Sequence, residues 1–402
     1  MSLLREKIEH EIRANGPIPF SRYMDLCLYD PDHGYYSRNA EQFGKAGDFY
    51  TSSDLHSVFG RLLARQFEEM WRVLGKPAHI DLVELGPGRG LFAQDVLNWS
   101  ERKFPDFLNA LHYILLERSL ALRLKITNTL AHYFESGKVT LGEPGSNPAE
   151  KSLWIPQRYG AANGTLTKDE ALASKVPSIV FANEFFDALP VEVLSTKGSL
   201  RINVREHRFV EEWASASQEE LEFLDRYSVH PEADERFEVP LAAQQYIECI
   251  ATSIERGFLI AIDYGYTREE QLAGRHRGTL KAIRQHSLSN NPYEAPGEQD
   301  LTSDVNFTAL AAAAEQHGMS THRLVTQSQF LMGIGEANQF ADAFEDCRFP
   351  QERAKVALQL KHLVTPAGMG ESFHVLAASK AVEQEKAELL SGLSFGRQSH
   401  SR

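Results

Sequence analysis

The chain alternates between short apolar runs and longer stretches in which apolar positions recur at helical spacing. The apolar runs are typical of buried strands and lie at residues 80–83, 111–116, 139–141, 177–182, 258–262, 324–325 and 373–376. Amphipathic stretches that predict helices separate them, at about 53–74, 91–97, 119–134, 241–256 and 304–317. This alternation predicts an α/β fold with a doubly wound, mostly parallel, seven-stranded sheet that carries helices on both faces.

A glycine-rich turn joins the first of these strands to the helix that follows it. The turn reads Glu84-Leu85-Gly86-Pro87-Gly88-Arg89-Gly90. Alternate glycines let the backbone approach a ligand closely, and the acid stands at the strand end, where doubly wound sheets bind ligands. A dinucleotide site would need Gly-x-Gly-x-x-Gly, but Leu91 occupies the sixth position, which makes that site the less favoured alternative. A purely structural turn is less favoured still, and a P-loop is excluded because no Gly-Lys-Ser or Gly-Lys-Thr closes the run.

The spacing of this turn, acid-x-Gly-x-Gly-x-Gly, resembles motif I of the class I methyltransferases that depend on S-adenosylmethionine. The resemblance implies that S-adenosyl-L-methionine is the cofactor and that this turn holds its methionine part. The cofactor-binding residues implied by the turn are Glu84, Gly86, Pro87, Gly88 and Gly90.

Two further strand ends carry acids that the same topology would bring to the ligand. Glu117 ends the second strand, where its two carboxylate oxygens can accept both hydroxyls of a ribose. The alternative is a surface acid, or a charge at the start of the next helix. The fourth strand ends in Asn183, Glu184 and Asp187, near the reactive end of the cofactor. We expect these to be the catalytic residues, although on spacing alone they could equally cap the following turn.

Five more residues are candidates for binding the substrate, each with a structural alternative. Asp263 and Tyr264 follow the fifth strand, where Asp263 either holds the substrate or organises the loops. Thr51 and Ser52 either line the site or cap the helix that begins near residue 53. His286 lies in the long polar segment 274–304, which is typical of a loop that covers a site, but a lone histidine is more often a structural hydrogen-bonding group.

The remaining segments predict additions to a simple doubly wound domain. We expect residues 1–75 to form a helical and loop extension over the cofactor site, beginning with an amphipathic helix that has Leu4, Ile8 and Ile12 on one face. The methyltransferase domain would cover 76–380, with insertions at about 196–256 and 266–305 and a β-hairpin at 200–213. The acidic stretch 219–238 predicts solvated surface, and the polar tail 381–402 predicts a frayed end.

Composition and charge narrow the class of protein further. The 402 residues are 42% apolar, which is ordinary for a globular protein, and the formal net charge of -13 argues against nucleic acid or an anionic membrane as the main partner. Cys27, Cys249 and Cys347 are odd in number and far apart, which favours a reducing compartment and gives no metal site. No apolar run approaches the roughly 20 residues that span a bilayer, and no transit peptide is evident. We therefore expect a bacterial cytoplasmic protein, while the oligomeric state stays open and includes a homodimer.

Beyond the glycine turn, further ordered motifs resemble the MidA family of class I methyltransferases, from about residue 16 to 335. They are Asp30-Pro31-x-x-Gly34-Tyr35-Tyr36, Gly47-Asp48-Phe49-x-Thr51-Ser52, Ala182-Asn183-Glu184-Phe185-x-Asp187-Ala188-Leu189-Pro190, Asp263-Tyr264-Gly265, Arg277-Gly278-Thr279-Leu280 and Pro296-Gly297-x-x-Asp300-Leu301-Thr302. That family includes a mitochondrial complex I assembly factor that methylates an arginine of a complex I subunit. The resemblance implies methylation of an arginine in a protein substrate, with a respiratory-complex subunit among the candidates. This chain departs from the family where Asp304 replaces a His and Asn306 replaces an Asp, which bears on the choice of acceptor.

Two other functions stay open at the level of sequence. A non-catalytic assembly factor or chaperone could retain the cofactor pocket for stability, and binding without turnover would leave the same residues in place. A small-molecule methyltransferase would share the cofactor site and differ in the acceptor pocket. An open cleft with acidic walls would favour a peptide, whereas a closed apolar pocket would favour a metabolite.

Overall fold

A central twisted sheet organises the protein, as seen in a computed structural model that describes residues 3–37, 57–142, 176–284, 287–289 and 291–395. Its strands are β1 (Ile80–Leu85), β2 (Leu111–Leu116), β3 (Val139–Gly142), β4 (Ser178–Asn183), β5 (Gly257–Tyr266), β6 (the short strands Ser320–Thr321 and Val325–Thr326) and β7 (Phe373–Lys380). The order across the sheet is β3-β2-β1-β4-β5-β7-β6. The pairs from β3 to β5 are parallel, and β7 runs antiparallel to both neighbours. The predicted fold class is confirmed.

The inner strands are buried on both faces, which explains their nearly continuous apolar sequence. Helices that cover both faces of a parallel sheet leave no solvent side, so the alternation typical of half-exposed strands is lost. Every residue of β4 between Ile179 and Ala182 is buried, as are the first seven residues of β5. Near the carboxyl ends of β4 and β5 the apolar run gives way to Asn183 and Asp263. Those ends meet at one edge of the sheet, and the functional residues collect there.

Two hydrophobic clusters hold the helices against the two faces of the sheet. One face packs against the helices Ser57–Val73, Leu91–Lys103, Gln327–Glu336 and Pro350–Val364. The other packs against Leu241–Ser253 and Phe307–Gln316. Apart from two helices in the N-terminal segment, the other α-helices of the described residues are Pro105–Ala110, Leu120–Thr129, Ala131–Glu135, Gln218–Tyr227, Arg268–Leu272, Ala341–Phe344, Gln384–Glu388 and Ser391–Ser394. No helix of the described residues is long and apolar enough to cross a membrane.

A second, antiparallel sheet joins the N-terminal segment to the insertion after β4. Its strands lie in the order Ile18–Pro19, Gly198–Arg205, Glu192–Ser195 and Phe237–Val239, and Arg208–Ala214 pairs with Gly198–Arg205 to form the predicted hairpin. The N-terminal helices Leu3–Asn15 and Phe20–Tyr29 pack on it through a shared apolar cluster that includes the predicted Leu4, Ile8 and Ile12. The N-terminal segment is thereby fixed beside the main sheet.

A third, three-stranded sheet lies within the segment expected to be a covering loop. Its strands are Ser287–Ser289, Lys281–Arg284 and Asp300–Thr302, in that order. The short strand Val305–Asn306 follows and pairs in parallel with the end of β5. The insertion is therefore tied to the main sheet just beyond the strand ends.

The expectation for the segment 219–238 holds only in part, and the expectation for the C-terminal tail is wrong. The segment 219–238 is not simply solvated surface, because Glu220 and Glu238 are only 2% and 3% exposed. Glu220 completes the capping box of the helix Gln218–Tyr227, and Glu238 accepts hydrogen bonds from the backbone of Thr279 and Leu280. The tail also packs against the protein as far as residue 395 and is not frayed there, because Leu390 and Leu393 are buried in the main core. The average polarity of these two segments gives no sign of their few buried residues, because the partners of those residues are far away in the sequence.

Candidate active site

A cavity of about 620 Å³ opens at the carboxyl ends of β1, β2 and β4. This is the edge of a doubly wound sheet at which ligands bind. Its lining comes from the glycine turn, the tips of β2, β4 and β5, the helix Phe20–Tyr29, the helix Leu241–Ser253 and the inserted three-stranded sheet. The predicted residues among those that line it are Glu84, Gly86, Pro87, Gly88, Glu117, Asn183, Glu184, Asp187 and Tyr264. Residues predicted from separate parts of the chain thus meet in one site.

The glycine turn takes a backbone path that favours glycine at all three positions. Gly86, Gly88 and Gly90 have φ values of 62°, 54° and 76°, a region that costs other residues energy. A Cβ on Gly86 would lie 3.0 Å from the Phe185 ring, whereas one on Gly88 would meet no described protein atom within 4 Å. Gly88 therefore presents bare backbone to the cavity. Gly90 does not line the cavity but begins the next helix, where it packs near Ile126 and so contributes to the shape of the turn.

Glu84 is a buried carboxylate beneath the turn. The Tyr113 hydroxyl donates a hydrogen bond to its Oε2 at 2.8 Å. Burial raises the pKa of Glu84 to about 8, an effect that the Tyr113 hydrogen bond opposes and the charge of Glu117 reinforces. A cationic ligand would stabilise the ionised form of this group, because an opposite charge favours ionisation.

Glu117 is also buried, which rules out the alternative that it is a surface acid. Its Oε1 accepts a hydrogen bond from the backbone N–H of Ser119 at 2.7 Å, and burial raises its pKa to about 7. Ser119, rather than Glu117, caps the following helix by accepting from the Leu122 N–H. The carboxylate of Glu117 instead faces the cavity, where it can accept hydrogen bonds from a ligand.

These donors and acceptors fit S-adenosyl-L-methionine. That molecule carries an ammonium group, a sulfonium group and a ribose with two hydroxyls, so it offers positive charge and donors to buried carboxylates. Glu84 and Glu117 supply the carboxylates, and Gly88 leaves the space for close backbone approach. Glu84 and the turn would hold the methionine part, and Glu117 would hold the ribose.

The tip of β4 turns sharply at Glu184, which has a φ of 50° although it is not glycine. Such a conformation costs of order 1–3 kcal/mol and persists only where the surrounding structure enforces it, often at functional sites. The backbone N–H of Glu184 donates to Ile262 O at 2.9 Å, and Asn183 Nδ2 donates to Glu184 Oε1 at 3.1 Å. Asn183 Oδ1 is buried with no hydrogen-bond partner among the described residues. The strained turn therefore places Asn183 and Glu184 in the wall of the cavity.

Asp187 is the third polar residue of this tip and is almost completely buried. Its Oδ1 accepts no hydrogen bond from the residues that the structure describes. Burial raises the pKa of Asp187 to about 6, opposed by the nearby Tyr264 hydroxyl and reinforced by the charge of Asp304. Because Asp187 lines the cavity, a donor from a bound ligand would satisfy this buried oxygen.

Asp263 organises the loops and does not line the cavity. Its assignment as a substrate-binding residue is therefore corrected. The side chain is 0% exposed, and Oδ2 accepts from the backbone N–H groups of Phe185, Phe186 and Asp187 at 3.0–3.3 Å. Burial and the charges of Asp187 and Glu184 raise its pKa well above the ordinary value, against the opposing hydrogen bonds. Asp263 lies under the acidic tip and holds its backbone in place.

We expect Asp263→Ala to destabilise the protein by about 3 kcal/mol, because it removes the acceptor of three N–H groups, two of them buried. Urea unfolding followed by circular dichroism measures the change. Asp225→Ala provides the control, since that aspartate is exposed and its carboxylate pairs with the side chain of His230 at the surface. Equal stability of the two variants would contradict the role assigned to Asp263.

Of the other predicted substrate-binding residues, only Tyr264 can be located. It lines the cavity and donates a hydrogen bond to Thr302 Oγ1 at 2.7 Å. Thr51, Ser52 and His286 lie outside the described residues.

The two departures in the inserted segment lie away from the cavity wall. Asp304 contacts His276 Nδ1 at 3.0 Å and accepts from Lys281 Nζ at 2.7 Å. Asn306 is completely buried and caps the helix Phe307–Gln316. Asp304 therefore stabilises the insertion and Asn306 the helix that follows it, and neither side chain is among those that line the cavity.

The cavity also contains residues that sequence reasoning missed. The stacked rings of Tyr29 and Tyr36 form part of its wall, with centroids 5.5 Å apart, and Asp300 lies beside them. Arg118 places its guanidinium carbon 5.1 Å above the Tyr29 ring and pairs with Asp25. Tyr36 and Asp300 belong to motifs visible in the sequence, but nothing local indicated that any of these residues faced the same cavity as the glycine turn.

The fold and the cavity define a class I methyltransferase, and comparison with known proteins agrees. Residues 62–325 match the model of a family of S-adenosyl-L-methionine-dependent methyltransferases. The chain belongs to that family. Its enzymatic class and its cofactor, S-adenosyl-L-methionine, are therefore as predicted.

Several relatives are similar over nearly the whole chain. The protein arginine methyltransferase NDUFAF7 homolog, mitochondrial, of Drosophila melanogaster is 31% identical over 391 residues, which cover 93% of this chain and 84% of that protein. The protein arginine methyltransferase NDUFAF7, mitochondrial, of Homo sapiens is 28% identical and aligns over 92% of this chain and 81% of its own. A crystal structure from Burkholderia thailandensis bound to S-adenosyl-homocysteine is 25% identical, with a TM-score of 0.75 over 94% of this chain and 92% of that one.

Proposed function

We propose that this enzyme transfers the methyl group of S-adenosyl-L-methionine to the guanidinium group of an arginine in a protein substrate. The observation that carries the proposal is the acidic tip of β4, where Glu184 and Asp187 line the cavity together with Asn183. The relatives from Drosophila melanogaster and Homo sapiens, both named protein arginine methyltransferases, support the same acceptor.

The acidic tip suits a guanidinium because that group is planar, positively charged and rich in donors. It offers five N–H groups in a fixed fork and matches carboxylate oxygens in pairs. Glu184 and Asp187 would accept from two of its nitrogens, and the unsatisfied Oδ1 of Asn183 could accept another hydrogen bond. Charge-assisted hydrogen bonds of this kind fix both the position and the orientation of the acceptor.

The residues of the site would then contribute alignment and proton transfer. When bound, the cofactor supplies a methyl carbon activated by a positively charged sulfur, whose departure takes the electron pair of the broken bond. The site's task is to hold the acceptor nitrogen in line with that carbon, and proximity of this kind can supply much of the rate. The acceptor nitrogen loses one proton as it gains the methyl group. Asp187, with its pKa of about 6, can take that proton at neutral pH.

Transfer of a labelled methyl group tests the acceptor directly. The purified protein is incubated with S-adenosyl-L-methionine labelled in the methyl group and with a library of short peptides that carry a central arginine. The matched library has lysine at the same position, and product hydrolysis followed by mass spectrometry identifies the modified residue. We expect label only on arginine. Label confined to lysine would overturn the proposed acceptor while leaving the cofactor assignment intact.

A further inference from the structure

The inserted strand Asp300–Thr302 lies beside the cavity and is fixed by contacts with three other parts of the fold. The backbone N–H of Ser303, directly after it, donates to Asp187 O at 3.0 Å, and the Tyr264 hydroxyl donates to Thr302 Oγ1 at 2.7 Å. Leu301 is buried in the cluster formed with the N-terminal helices. The strand therefore connects the acidic tip, the end of β5 and the N-terminal segment. A side chain presented from it is held by regular structure rather than by a loose loop.

Asp300 is the residue that this strand presents to the cavity. It is only 3% exposed, and its Oδ1 accepts a hydrogen bond from the Tyr36 hydroxyl at 3.2 Å. Tyr36 in turn stacks on Tyr29, whose hydroxyl donates to Ala188 O at 2.9 Å in the acidic tip. Burial raises the pKa values of both tyrosines, and the charges of Asp300 and Asp187 raise them further. Both carboxylates are thus close to the same pair of rings.

Two buried carboxylates beside apolar rings create a site for a cation. In a poorly hydrated environment their attraction for a positive charge is much stronger than in water. Three basic side chains, Arg22, Arg89 and Arg118, also line the cavity. Arg22 and Arg118 are paired with Asp25, and Arg22 also contacts Glu11, so these two charges are balanced by acids other than Asp187 and Asp300.

We infer that Asp300 is an acceptor-binding residue: it holds the substrate's cationic group from the inserted strand while Glu184 and Asp187 hold it from the tip of β4. The inference rests on the proposed function and adds a second wall to the acceptor site. Tyr36 is a positioning residue, which acts by orienting the Asp300 carboxylate. The acceptor specificity of this enzyme is therefore built partly by the insertion, which the simple doubly wound fold lacks.

The test compares Asp300→Asn with wild type on the arginine peptide that wild type methylates best. Asparagine keeps the size of the side chain and can still accept from Tyr36, so we expect an unchanged melting temperature. The KM for the peptide should rise about 10- to 100-fold, as expected for the loss of a charged hydrogen-bond partner, while the KM for S-adenosyl-L-methionine stays within about twofold. Asp225→Asn is the matched control, because that aspartate is exposed.

Tyr36→Phe separates the positioning role from a structural one. Removing the hydroxyl should raise the peptide KM less than Asp300→Asn does, and it should have no further effect in the double variant, because its role passes through Asp300. If Asp300→Asn leaves the peptide KM unchanged while arginine is still methylated, the inference is wrong and the proposed function stands. Methylation of lysine peptides with the same dependence on Asp300 would overturn the arginine acceptor and retain Asp300 as the cation-binding residue.

Discussion

Glu184→Gln should lower kcat about 10²- to 10³-fold, the usual cost of losing one preorganised electrostatic contact in an active site. Glutamine has nearly the same shape, so Asn183 can still donate to it at the strained tip of β4. What is lost is the negative charge that would hold and orient the cationic acceptor. Steady-state methyl transfer to an arginine peptide measures kcat, and calorimetric titration measures the affinity for S-adenosyl-L-methionine, which we expect to stay within about twofold.

Glu248→Gln is the control for this substitution. That glutamate is 40% exposed in its side chain and lies on the helix Leu241–Ser253, where it contacts His317 rather than the cavity. The same chemical change should leave kcat unaltered there. Retained turnover in Glu184→Gln would contradict the role assigned to Glu184, and a parallel loss of cofactor binding would indicate that the residue acts on the cofactor instead.

Gly88→Leu should weaken the binding of S-adenosyl-L-methionine by at least about 100-fold, because a side chain would fill the space that the cofactor needs. The Cβ at this position would meet no described atom within 4 Å and would project from the glycine turn at the cavity. The φ of 54° adds strain that destabilises the fold by about 1–2 kcal/mol. Equilibrium titration followed by calorimetry measures the affinity, and thermal unfolding shows that the variant is folded.

Gly137→Leu distinguishes strain from obstruction. Gly137 has a φ of 70°, and its Cβ would likewise meet no described atom within 4 Å, but it does not line the cavity. The two variants should lose similar stability, and only Gly88→Leu should lose the cofactor. Equal affinity in both would show that the glycine turn does not contact the cofactor.

The central sheet and half of the site followed from local sequence. Each buried strand is one continuous apolar run, and Glu84, Glu117 and Glu184 are identified simply because they come at the point where such a run ends. The topology then brings the strand ends together at one edge. These three residues can be predicted without any knowledge of distant contacts, because each one follows directly from the local apolar pattern.

The second wall of the cavity depends on contacts between distant parts of the chain. Tyr36 meets Asp300 across 264 positions, and Tyr29 meets Ala188 across 159. No periodicity connects such residues, so only the assembled structure shows that they share the site. For Asp263 the local pattern was misleading. Its position at a strand end suggested a ligand contact, but its carboxylate oxygen accepts hydrogen bonds from the backbone of the acidic tip instead.

The C-terminal tail was mispredicted for a related reason. The tail is polar on average, yet Leu390 and Leu393 are spaced to bury one side of a short helical segment against the core. The N–H of Gly392 also donates to Gln66 Oε1, in the helix Ser57–Val73, at 2.9 Å. A few apolar positions with distant partners outweigh an average composition.

Calorimetric titration with S-adenosyl-L-methionine, on wild type and on Glu117→Ala with NAD as the second ligand, tests directly whether this cavity is the cofactor site. We expect wild type to bind S-adenosyl-L-methionine and not NAD. Loss of the Glu117 carboxylate should weaken binding by at least about tenfold, because two hydroxyl hydrogen bonds to a charged acceptor are lost. Failure of wild type to bind S-adenosyl-L-methionine, or equal affinity of both proteins for it, would contradict the assignment of this cavity as the cofactor site.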